Sequence, residues 1–164
     1  MTASPSAKRR VAVLGASGIG RHHANWWTVE GAEVCAILGS SPESLAKTRD
    51  KLRDLFGFAG RGYTNLDELL ASERPDIVDV CTPSEWHYRH AKTALEANCA
   101  VLCEKPFVYD AALSMDDILG QARELVTLAA NRGLRFGICT QYVVASEICL
   151  RILRARSEER RVGK

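Results

Sequence analysis

Val11-Ala12-Val13-Leu14-Gly15-Ala16-Ser17-Gly18-Ile19-Gly20 is the stretch whose reading decides the fold. Its first four residues form a short apolar run of the kind a buried parallel strand needs. Three glycines follow within six residues, and a helical pattern runs from Arg21 to about Glu30. Strand, glycine turn and helix together are the context that gives a glycine motif meaning. Gly15 suits the tight turn, Ala16 and Ser17 are small enough for close approach of a phosphate, and Gly20 lets helix pack on strand. Ile19 and the residues beside it then present backbone N–H groups at a helix N-terminus, which attracts anions. Ser17 stands where a middle glycine would fall, and Gly18 is extra. This stretch alone leaves two readings open, an ordinary strand-to-helix turn and a nucleotide-binding one.

The rest of the chain repeats the alternation. Strands are predicted at Glu33–Leu38, Arg61–Tyr63, Ile77–Cys81, Ala100–Cys103 and Leu134–Cys139. Helices are predicted between them, one opened by Ser41-Pro42, one capped by Asn65, one capped by Ser84 and running from Glu85 to Ala97, and one from about Ser114 to Asn131. Six strands with crossover-length connections predict an α/β chain with a mostly parallel, doubly wound sheet of Rossmann type. Ligands on such sheets bind beyond the carboxyl ends of the strands. The candidates are therefore Gly15–Gly20, Gly39-Ser40-Ser41, Thr82-Pro83, Glu104-Lys105-Pro106 and Gln141-Tyr142.

Composition narrows the function classes. The chain has 164 residues, a net charge of +2 and 26% charged residues, so no nucleic-acid or anionic-membrane partner is indicated. Met1–Ala7 carries no apolar core and reads as a polar lead-in, which with the cysteine pattern predicts a cytoplasmic protein. The six cysteines contain no C-x-x-C pair, and several sit in strand-like runs, so they read as free buried thiols. No metal is assigned. Arg21, His22 and His23 open the first helix, where phosphate contact and a solvent-facing position are alternative readings.

Gly15-Ala-Ser-Gly-Ile-Gly20, Cys81-Thr82-Pro83 with His87, and Glu104-Lys105-Pro106-Phe107 stand in register at successive strand ends. Together they resemble the N-terminal dinucleotide-binding domain of the Gfo/Idh/MocA oxidoreductases, over about Arg10 to Leu153. The resemblance implies a nicotinamide cofactor held by the Gly15–Gly20 turn, Gly39, Ser40, Ser41, Thr82, Pro83 and His87. It also implies a catalytic Lys105 beside the nicotinamide, with Glu104 at the cofactor or orienting Lys105, and Gln141 near the nicotinamide. Val143 departs from the arginine that many members carry. An ammonium at Lys105 would hydrogen-bond the substrate hydroxyl and stabilise the oxyanion character that develops as hydride leaves. The predicted end of the second strand has hydroxyls and no carboxylate to repel a 2′-phosphate, so between NAD and NADP it leans slightly to NADP.

The domain reading is a disordered lead-in over 1–8, a dinucleotide-binding domain over 9–143, and the start of a linker helix over 144–155. Residues 156–164 read as a non-native tail similar to a translated sequencing adapter. The chain is thus expected to be the nucleotide-binding half of an oxidoreductase acting on a sugar, cyclitol or polyol, inactive alone, with the substrate domain absent. The full-length parent is expected to take a small polyol-like substrate and to allow a homo-oligomer. The alternative is a non-catalytic dinucleotide-binding sensor or scaffold. A short-chain dehydrogenase is disfavoured, because Tyr88 and Lys92 follow the glycines too closely and fit one helix face.

Overall fold

The computed structural model describes residues 7–140; the expectations for residues 1–6 of the lead-in, for Gln141, Tyr142 and Val143, and for residues 144–164 lie outside them. In chain order the elements are β1 (Arg10–Leu14), α1 (Gly20–Val29), β2 (Glu33–Leu38), α2 (Pro42–Phe56), β3 (Arg61–Tyr63), α3 (Leu66–Glu73) and β4 (Ile77–Val80). A 3₁₀ turn (Ser84–Trp86), α4 (His87–Glu96), β5 (Ala100–Glu104), α5 (Met115–Asn131) and β6 (Phe136–Cys139) follow. The sheet order is β3-β2-β1-β4-β5-β6, with every pairing parallel. The expected doubly wound sheet is present, and its order reverses between β1 and β4.

Alternation along β1 shows why its apolar run is continuous. Val11 and Val13 pack on one face with Ala24, Ile37, Leu45 and Leu52, while Ala12 and Leu14 pack on the other with Val78, Val80, Leu95 and Leu125. Both faces are covered by helices, so neither set of positions can be polar without cost. One residue breaks the pattern: Asp79, paired in register with Val13, is fully buried in the middle of β4.

Local signals end and begin the helices. Ser41 Oγ accepts from the Ser44 N–H, and Asn65 Oδ1 accepts from the Glu68 N–H. Ser114 and Asp117 form a reciprocal capping box. The cap expected of Ser84 does not form. Residues Ser84–Trp86 instead make a 3₁₀ turn without a side-chain cap, and α4 begins only at His87. The chain leaves Pro83 in an extended conformation, and the Trp86 N–H donating to Pro83 O closes that tighter turn first. Among the described residues no helix is long and apolar enough to cross a membrane.

Candidate functional site

The glycine turn is built by close backbone approach. Gly15 has φ +84°, and a Cβ there would stand 2.7 Å from Cys81 O. A Cβ on Gly20 would stand 2.6 Å from Gly15 O. Only glycine fits either position without movement of backbone. Gly18, by contrast, has open space around it. Helix α1 then starts at Gly20, with Ile19 at its N-cap, no side-chain cap and no acidic residue in its first turn. Its N-terminal dipole end is therefore not neutralised from within the helix.

Beside this turn lies a cleft of about 480 Å³ at the carboxyl ends of β1, β2 and β4. It brings together seven of the expected residues: Gly15, Ala16, Ser17, Gly39, Ser40, Thr82 and Pro83. Ser44, Thr48, Thr64, Trp86 and His90 also line it, and sequence reasoning missed them. Gly18, Ile19, Gly20 and Ser41 are not on its wall; Ser41 caps α2 instead. Among the described residues no carboxylate lines the cleft. Trp86 stacks on His90 with ring centroids 5.7 Å apart, and Thr82 Oγ1 lies 3.1 Å from His90 Nδ1. Burial, aided by the Arg89 guanidinium, pushes His90 down to about 4, so its ring is neutral at pH 7.

The next strand end carries Glu104 and Lys105. Lys105 is exposed, and it has no ion pair among the described residues. Glu104 is buried, and its Oε2 accepts from the Lys105 N–H at 3.1 Å. The carboxylate thus orients the Lys105 backbone rather than pairing with its ammonium. The Lys105–Pro106 peptide is cis.

His87 corrects an expectation. It is 1% exposed, and its two ring nitrogens each lie 2.8 Å from a backbone carbonyl oxygen, that of Thr82 and that of Pro106. The late start of α4 turns the ring inward, so His87 ties two turns together and is not available to a cofactor. His23 is a second correction. It does not face solvent but sits between Asp79 and Glu104, with Cys81 and Cys139 near its ring. In this cluster, ligand-type atoms of His23, Glu104 and Cys139, and of His23, Asp79 and Cys81, fall within 4.8 Å of one another.

The five described cysteines are free. Burial pushes the thiols of Cys35 and Cys99 up to about 11 and that of Cys103 to about 12, which keeps them protonated and unreactive at neutral pH. Tyr88 and Lys92 share one face of α4 and meet Glu124 of α5, away from the cleft.

The family described as "Oxidoreductase family, NAD-binding Rossmann fold" (GFO_IDH_MocA) matches residues 9–139. D-glucoside 3-dehydrogenase of Escherichia coli (strain K12) is 33% identical over 81% of this chain and 34% of its own length. Glucose-6-phosphate 3-dehydrogenase of Bacillus subtilis (strain 168) is 30% identical over 78% of this chain and likewise 34% of its own length. Among solved structures, GenD2 from gentamicin A biosynthesis, in complex with NAD, superposes with a TM-score of 0.67 at 27% identity. That match covers 84% of this chain and 36% of GenD2. The chain therefore spans about a third of the length of the curated relatives it matches.

Proposed function

This chain belongs to the Gfo/Idh/MocA oxidoreductase family, and we propose that it is the dinucleotide-binding part of an enzyme that moves hydride between a carbinol carbon and nicotinamide. The substrate class is a sugar, cyclitol or related polyol; the sugar-acting names of the two enzyme relatives support it. One observation carries the reading. A cleft at the sheet's switch point, lined by no carboxylate among the described residues, lies beside a glycine turn that tolerates no side chain at Gly15 or Gly20, and an exposed lysine follows the neighbouring strand.

The residues present fit the cofactor. The N–H groups of the Gly15–Gly20 turn and the start of α1 would take the pyrophosphate. Hydroxyls of Ser40, Ser44 and Thr48 would take the adenosine ribose or its 2′-phosphate, and the absence of a carboxylate among the described lining residues favours NADP. Thr82 and Pro83 would shape the opposite wall. The bound nicotinamide ring supplies the hydride-accepting carbon. Lys105 Nζ would accept the hydroxyl proton as hydride leaves the carbinol carbon, and in the reverse direction the resulting ammonium would return that proton to the carbonyl oxygen and stabilise the negative charge developing there. Glu104 keeps the Lys105 backbone in place through the hydrogen bond to its N–H.

The test uses the chain as given for binding and, for turnover, the chain extended by a substrate domain. Titration with NADH and NADPH should quench tryptophan fluorescence with micromolar affinity. With sugars and NAD(P)⁺, Lys105→Ala in that extended protein should abolish turnover while leaving cofactor affinity within about threefold. Retained turnover in that variant would overturn the role of Lys105, whereas no turnover in the unsubstituted extended protein would favour a binding module without chemistry.

A further inference from the structure

Helix α1, the interior of β4 and the ends of β5 and β6 meet at one imidazole. His23 Nδ1 lies 3.0 Å from Asp79 Oδ2 and 3.2 Å from Oδ1, and Nε2 lies 3.2 Å from Glu104 Oε1. Asp79 is 0% exposed and Glu104 5%. Trp27, one turn along α1 from His23, donates its indole N–H to Asp79 Oδ2 at 2.6 Å. The other titratable groups at the ring are thiols: Cys81 Sγ is 3.4 Å from Nδ1 and Cys139 Sγ 3.9 Å from Nε2. Burial pushes both thiols up, so they bring no charge. Lys105 reaches the cluster through its backbone N–H on Glu104 Oε2.

Two carboxylates inside a sheet are costly unless each meets a cation or donors. Ionised carboxylates only accept hydrogen bonds, and a neutral imidazole donates from one nitrogen only. A neutral His23 would therefore turn a lone pair towards Asp79 or towards Glu104. Glu104 Oε1 has no hydrogen bond among the described residues; its contact with Nε2 is within ion-pair distance but off the hydrogen-bond axis. Positive charge on the ring compensates this oxygen as well as Asp79.

We propose that His23 is a positioning residue, held as an imidazolium between Asp79 and Glu104, that locks the helix of the glycine turn to the strand end bearing Lys105. Its consequence for cofactor binding rests on the proposed function; its charge state does not. The hydrogen bond to Asp79 raises the His23 pKa, against the opposing effect of burial, and Glu104 adds to the rise. A histidine raised in the folded state stabilises the fold fully below its unfolded pKa of about 6.5, and that stabilisation is lost as pH rises through the folded value. The competing use of the same atoms is a zinc site on Nε2, Glu104 Oε1 and Cys139 Sγ, which requires a deprotonated Nε2 and a thiolate.

Ring ¹⁵N shifts of His23 in the 164-residue chain, assigned against His23→Gln and followed from pH 5 to 9, test the charge directly. Both nitrogens should be protonated at pH 7, with titration above pH 6.5, and Asp79→Asn should lower that midpoint. The loss of melting temperature in His23→Gln should be greater at pH 6 than at pH 9. At pH 7 the affinity for whichever of NADPH and NADH the wild type binds more tightly should fall at least fivefold in His23→Gln. A neutral ring at pH 7 overturns the proposal, as does displacement of the ring protons by added Zn²⁺. Equal melting losses at the two pH values, or unchanged affinity for that dinucleotide in a folded His23→Gln, overturn it too. If the wild-type chain bound neither NADH nor NADPH, the proposed function would fail, while the imidazolium would still be judged by its ring shifts.

Discussion

His87 Nδ1 stands 2.8 Å from the carbonyl oxygen of Pro106, which ties the first turn of α4 to the turn that carries Lys105. The other ring nitrogen reaches Thr82 O, so one buried side chain braces the cleft wall and the lysine turn together. His87→Ala leaves both carbonyls without this partner. The expected cost is about 1–3 kcal/mol of unfolding free energy, read from urea denaturation. An unchanged midpoint would show that the two turns hold without the brace.

The glycines divide by the space around them. Gly15→Ala forces a side chain into a left-handed backbone and against Cys81 O, and should destabilise by roughly 1–3 kcal/mol. Gly18→Ala meets nothing within 4 Å and should leave the melting temperature unchanged. Equal losses in the two variants would contradict the close approach of β1 and β4 at the turn.

Much of this architecture was legible because its causes are local. The run Val11–Leu14 is apolar at every position because the strand is covered on both faces, and the short strand Arg61–Tyr63 follows from the turn residues around it. The cleft was legible for a topological reason, since residues after parallel strands converge at one edge of the sheet. The same rule applied to β3 would have found Thr64. The His23–Asp79–Glu104 cluster was not legible, because it depends on which face β4 turns to α1. Its signals were an acidic residue inside the strand Ile77–Val80 and a tryptophan four positions after His23. His87 was misread because the 3₁₀ turn before α4 rotates the ring inward, a shift that periodicity does not encode.

His90 sets an acid limit on stability. Its folded pKa of about 4 lies below the unfolded value of about 6.5. Between these values the unfolded chain binds a proton that the folded chain does not, so stability falls as pH drops from about 6.5 towards 4. His90→Gln should flatten this part of a melting-temperature profile. A profile as steep as that of the wild type would place the acid sensitivity elsewhere.

Cofactor choice follows from the end of β2. Ser40→Asp would set a carboxylate in a cleft wall that has none among the described residues, repelling a 2′-phosphate and accepting from ribose hydroxyls. NADPH affinity should fall at least tenfold while NADH affinity holds or rises, measured by fluorescence titration. Parallel losses for both cofactors would mean that Ser40 does not face the 2′ position.

The central claim is that the cleft between the glycine turn and Thr82-Pro83 holds a nicotinamide dinucleotide. Amide chemical-shift mapping of the chain during NADPH titration tests it most directly. The account predicts saturable shifts at Gly15–Gly20, Ser40 and Thr82, with little change on α5 away from the cleft. Saturable binding whose shifts fall elsewhere on the surface, or no binding at millimolar NADPH and NADH, would contradict it.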